Sequence, residues 1–130
     1  MTSVPACVQT PNTTGVLLDT ANTNRDGTGT LSSAITVGAN GCLLSKVFFQ
    51  AITTTAPGTL RLFISNDGGT TKTMLGEATS EGATISATGA AEQVPLELLY
   101  PLELTASAKL YGALNNSGEK WYMYCCRGDL

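Results

Sequence analysis

The chain has 130 residues, of which 42% are apolar and only 13% charged, with a formal net charge of −3 and no histidine. That length fits one domain burying roughly two-thirds of its unfolded surface, and the composition is too hydrophobic for a disordered segment. The acidic balance and the scatter of the seven basic residues leave no electrostatic footprint for nucleic acid or an anionic membrane.

Taken in order, residues 1–14 read as an extended arm. Pro5 and Pro11 punctuate it, Thr and Asn dominate, and Val4 and Val8 supply the apolar contacts. Two readings stand: a frayed terminus, or a segment whose Val4, Pro5 and Val8 order on a partner by strand addition. MTSVPACVQTPNTT has neither the basic nor the apolar region of a secretory signal, so cytoplasmic synthesis is expected.

Residues 15–130 read as a single β-sandwich domain. Gly15–Asp19 makes a short strand, Ala21–Thr30 a loop, and Thr30–Val37 a second strand with Leu31, Ile35 and Val37 on one parity. Asn40-Gly41 is a turn dipeptide. Two runs follow, LLSKVFFQAIT from Leu43 and TLRLFIS from Thr59, separated by Pro57-Gly58. In the first, Leu43, Val47, Phe49 and Ala51 share a parity; in the second, Leu60, Leu62 and Ile64 oppose Arg61 and Phe63. Period-2 alternation in β-branched and aromatic company predicts strands, and the Pro-Gly turn predicts that the two form a long hairpin. Phe48 and Phe63, opposite the core set, are then apolar surface for a partner. Lys46 and Arg61 would lie close enough to meet across such a hairpin.

Thr71–Ala78 gives a fifth strand, and Ser80–Glu92 reads as a long loop. Val94–Leu104 alternates with period two despite Pro95 and Pro101, which predicts one kinked edge strand. Ala106–Asn115 and Lys120–Cys126 complete the set, and Arg127–Leu130 reads as a polar tail. This makes eight strands with turns about every ten residues and no helix, the pattern of an antiparallel sandwich with the strand count of a jelly roll.

Catalytic chemistry finds no residues to use. Without histidine, Ser-His-Asp and Cys-His arrangements are excluded, and no phosphate-binding glycine motif is present. Glu97 and Glu103, six residues apart on one strand, would sit about 20 Å apart, too far for paired carboxylates. Cys7, Cys42, Cys125 and Cys126 form no C-x-x-C and read as reduced thiols, at least one of them in the core. The alternative is a disulfide from Cys7 or Cys42 to the C-terminal pair. The exposed aromatics of a receptor- or carbohydrate-binding sandwich would come from Tyr111, Trp121, Tyr122 or Tyr124. Arg127-Gly128-Asp129 spells an integrin-type tripeptide, read here as part of a solvated end. No cofactor, metal, catalytic residue or small-molecule substrate is expected.

The succession Thr28-Gly29-Thr30-Leu31, Val37-Gly38-Ala39-Asn40-Gly41-Cys42-Leu43-Leu44, Pro57-Gly58-Thr59-Leu60-Arg61-Leu62-Phe63-Ile64, Val94-Pro95-Leu96 and Ala108-Lys109-Leu110-Tyr111-Gly112-Ala113 resembles the small jelly-roll structural proteins of tailed bacteriophages. The resemblance covers roughly residues 15–126. It implies a non-enzymatic capsid decoration (cement) protein, typically a homotrimer, bound to the major capsid protein on the head surface of the virion. Related sandwiches serve as fibre or baseplate parts, and a receptor- or carbohydrate-binding module is the other class to weigh.

Overall fold

Alternating runs become strands throughout the described residues, 10–31, 35–98 and 100–130 of a computed structural model. In chain order they are β1 (Thr10–Leu18), β2 (Ile35–Thr36), β3 (Cys42–Ala51), β4 (Gly58–Ser65), β5 (Thr73–Ser80), β6 (Gln93–Leu96), β7 (Leu102–Leu104), β8 (Lys109–Leu114) and β9 (Trp121–Asp129). Every strand pair is antiparallel. One sheet runs β1-β9-β3-β6, with β7 also on β3, and the other runs β2-β8-β4-β5. The protein is an all-β antiparallel sandwich, with no helix among the described residues. Leu18, Leu44, Phe49, Trp121 and Met123 from the first sheet meet Leu60, Leu62, Leu110 and Leu114 from the second, each at most 1% exposed. Each large side chain so buried contributes about 1.5–3 kcal/mol of transfer free energy.

Among the described residues the strands number nine rather than eight. The expected strand over 94–104 is broken: β6 pairs with Val47–Gln50 and β7 with Cys42–Leu44, and residues 97, 98, 100 and 101 belong to neither strand. Pro95 is tolerated because β6 is an edge strand, where a missing N–H faces no neighbour. At the same point β3 carries a bulge between Leu44 and Lys46. The extra residue flips parity, so Cys42 and Leu44 are buried with Val47, Phe49 and Ala51, while Leu43 is not.

The expected hairpin over 43–64 does not form. β3 and β4 lie in different sheets, and residues 52–57 carry the chain between them. That crossing is tied by Ile52 N–H donating to Lys120 O (3.0 Å), Thr55 N–H to Ala83 O (2.9 Å) and Ala56 N–H to Glu119 Oε2 (2.8 Å). Lys46 is therefore exposed on one sheet and Arg61 buried in the other, and they do not face one another.

Phe63 is a second correction. It points away from the main core, as its parity predicts, yet it is 0% exposed and offers no surface to a partner. The loop after β1 closes over that face. Asn22 N–H donates to Leu114 O (2.8 Å), and Asn22 Nδ2 donates to Thr28 O (2.9 Å) and Thr30 O (3.0 Å). Glu77 on β5 takes both Arg61 Nε (3.1 Å) and Arg25 Nε (3.3 Å), clamping the loop to the sheet.

The arm's expected boundary also moves. β1 starts at Thr10, and residues 10–14 pair with Asp129–Cys125 of β9. Asn12 Nδ2 donates to Asp129 Oδ2 at 2.9 Å. Val4, Pro5, Cys7 and Val8 lie outside the described residues.

Several of these ties hold carboxylates below their ordinary range. Burial pushes Glu92 up, but hydrogen bonds from Ser80 Oγ, Glu81 N–H and Thr55 Oγ1 outweigh it and bring it down. The Asn12 amide does the same for Asp129, and the Thr71 N–H and Ser65 hydroxyl hold Asp67 at about 2. A carboxylate with a depressed folded pKa stabilises the fold above its unfolded value, and that contribution is lost as pH falls through the folded value. Melting temperature is therefore expected to be flat from pH 7 to 5, with no histidine to titrate, and to fall from about pH 4.5 towards pH 2. Thermal melts across that range check it, and Glu92→Gln should flatten part of the slope.

Candidate functional site

With the second sheet's outer face roofed by a loop, the outer face of the β1-β9-β3-β6 sheet is the open one. Alternation along β9 sends Trp121, Met123 and Cys125 inward and Tyr122 and Tyr124 outward. Phe48 stands beside Tyr124 on β3, with ring centroids 5.0 Å apart and planes 19° from parallel. Tyr122 tilts against Tyr124 at 6.1 Å. The register completes a row across four strands, Gly15, Tyr124, Phe48 and Pro95, with Leu17 beside Tyr122. Gly15 is what lets Tyr124 lie there: a Cβ at position 15 would sit 2.6 Å from the Tyr124 ring.

The row ends in a groove of about 520 Å³, at the place where β3 changes partner from β6 to β7. Phe48, Pro95 and Leu98 give it apolar walls, and Lys46, Gln93 and Glu97 give it polar ones. Gln93 Nε2 donates to Gln50 Oε1 at 3.3 Å, and Gln50 Nε2 in turn to Ala51 O at 3.0 Å. Past Glu97 and Leu98 lies a second hollow of about 360 Å³, bordered by Tyr100, which is 74% exposed. Ser45, the one hydroxyl in the first hollow's lining, donates to Cys126 O at 3.0 Å. The groove offers aromatic contact, amide hydrogen bonding and one charge of each sign.

Of the residues singled out from sequence, Phe48 is on this face, half-buried, and Phe63 is not. Tyr122 and Tyr124 join Phe48. Trp121 is core, its indole N–H donating to Glu119 Oε1 at 3.0 Å. Tyr111 lies on the other sheet beneath the Lys72 ammonium, 5.0 Å from its ring. Among the described residues no group of three or more His, Cys, Asp or Glu could hold a metal ion. Cys42, Cys125 and Cys126 are free, and burial raises the Cys125 thiol to about 12, which keeps it protonated and inert.

The C-terminal tripeptide is no solvated tail. Arg127, Gly128 and Asp129 are the end of β9, paired with β1 on one side and β3 on the other. The Arg127 side chain is 7% exposed and donates to Asp129 Oδ1 at 3.0 Å, so its guanidinium is turned into the fold. Three residues that the alternation left unmarked tie the molecule together: Asn22, Glu92 and Glu119. Each has at least one partner far along the chain, Leu114 for Asn22, Thr55 for Glu92 and Ala56 for Glu119, and no local pattern identifies those.

No family model, no curated protein and no solved structure matches this chain.

Proposed function

We propose that this is a non-enzymatic structural protein of a virion, a capsid decoration (cement) protein that binds the head surface, contacts the major capsid protein and assembles as a symmetric oligomer, a trimer by its resemblance. The observation that carries the reading is the open outer face, where Leu17, Tyr122, Tyr124, Phe48 and Pro95 form an apolar row across four strands with a single free charge of each sign at its end. Such a surface suits a large, mostly apolar contact with a polar rim. The strand order supports a jelly-roll reading. If β6 and β7 are counted as one interrupted strand, the eight strands divide into orders 1-8-3-6 and 2-7-4-5, an interleaving of two Greek keys.

The test is co-sedimentation with purified heads. Binding should occur at a stoichiometry comparable to that of the shell protein, and Tyr124→Asp should weaken it tenfold or more, about 1.4 kcal/mol, with the melting curve little changed. Binding unaffected by that substitution would remove the outer face from the reading. The groove beside Phe48 favours a second reading, a receptor- or carbohydrate-binding module of a fibre or baseplate. Binding to a glycan array, lost with Tyr124→Asp, would select it over decoration.

A further inference from the structure

The four sheet edges are not alike. β2 is two residues long. β6 and β7 are separated by a break and carry the exposed Pro95, with the bulge of β3 behind them. β5 bears Glu77, held by Arg25 and Arg61, and its register with β4 is broken between Leu62 and Phe63. Short strands, prolines, bulges and charges are the means by which sandwiches prevent edge-to-edge pairing. β1 lacks nearly all of them. It runs nine residues, Thr10–Leu18, in unbroken register with β9, contains no charged side chain, and has its one proline next to its start. Among the described residues no strand pairs with its other side.

We infer that the free edge of β1 pairs antiparallel with β1 of a second copy of this chain about a two-fold axis, joining the two outer faces into one continuous sheet. The strand's own sequence favours a copy of itself as occupant. With no charge in it, an antiparallel self-pair opposes no like charges. Full overlap centres on Thr14 and sets Thr13 opposite Gly15 of the second copy, so the branched side chain comes against the Tyr124 ring that lies over that glycine. A two-fold contact is self-complementary and closes, so it yields a defined assembly and no filament. The inference is independent of the decoration reading.

Sedimentation equilibrium of the full chain tests it. The expected mass is an even multiple of one chain: two copies, or six if a trimeric contact also exists. Thr13 is exposed and points to the outer face, so Thr13→Lys should leave the fold's circular dichroism and melting intact. It places like charges diagonally across the axis and should weaken the contact about two- to fivefold. Thr13→Glu should do the same, and an equimolar mixture of the two variants should regain the wild-type mass. A mass of one chain at micromolar concentration, a mass of three, unchanged association of Thr13→Lys, or failure of the mixture to reassociate would each overturn the pairing. A mass of three would do so while leaving the trimer reading intact; a mass of two would do the reverse.

Discussion

Glu119→Ala is expected to lower the melting temperature by roughly 10–15 °C, the equivalent of about 3 kcal/mol in a domain of this size. The side chain is 8% exposed and accepts three hydrogen bonds: from Trp121 Nε1 (3.0 Å), Ala56 N (2.8 Å) and Asn116 Nδ2 (3.0 Å). Those donors come from β9, from the crossing between the sheets and from the turn before β9, so one carboxylate fastens three segments. Removing it strands a buried indole N–H and a backbone N–H, each costing about 1–3 kcal/mol when unpaired. Glu119→Gln separates hydrogen bonding from packing. Its carbonyl oxygen can still serve one donor, but its NH2 then faces another donor, and a loss between wild type and alanine is expected. Differential scanning calorimetry of the three proteins checks the order. An alanine variant that melts with wild type would mean the donors find other partners and the carboxylate is dispensable.

Much of the fold was legible because strands declare themselves locally. The alternation at Val47, Phe49 and Ala51 and at Leu60 and Leu62 named inward residues correctly, and the Asn40-Gly41 turn lies just ahead of β3. What failed depended on something outside the window. Pro57-Gly58 marks a turn whether the chain doubles back in one sheet or crosses to the other, and the choice is made by Glu119 and Ala83, far along the chain. The bulge at Ser45 cannot be seen from β3 alone, because it is defined by the register against Cys126 and Arg127. The same bulge and the break in the 94–104 run together build the groove, which is why the groove had no sequence signal. The aromatic row was half legible: Phe48 read as outward, but Tyr122 and Tyr124 were candidates alongside Tyr111 and the core Trp121, and their assembly into one stripe needs β3 and β9 side by side. The C-terminal Arg-Gly-Asp was misread because its polar composition looks solvated, whereas Asp129 neutralises Arg127 within the sheet.

Phe63 and Phe48 looked equivalent in the sequence, and the structure predicts that they behave oppositely. Phe63→Ala should cost about 3–5 kcal/mol, the usual penalty for emptying a fully buried aromatic site, and lower the melting temperature by well over 10 °C. Phe63 is fully buried within a closely tied face, and a cavity there that does not collapse lies at the costly end of that range. Phe48→Ala removes a half-exposed ring whose main contact is the stacked Tyr124, worth about 0.5–1.5 kcal/mol beyond its area. Its melting temperature should shift by only a few degrees, while, on the decoration proposal, its binding to heads should weaken along with that of Tyr124→Asp. The pair is read by thermal melts and co-sedimentation on the same preparations. Equal melting losses for the two alanine variants would mean that the full burial of Phe63 adds nothing to stability over the partial burial of Phe48. A Phe48→Ala protein that binds heads as well as wild type would leave the aromatic row without a role in adhesion.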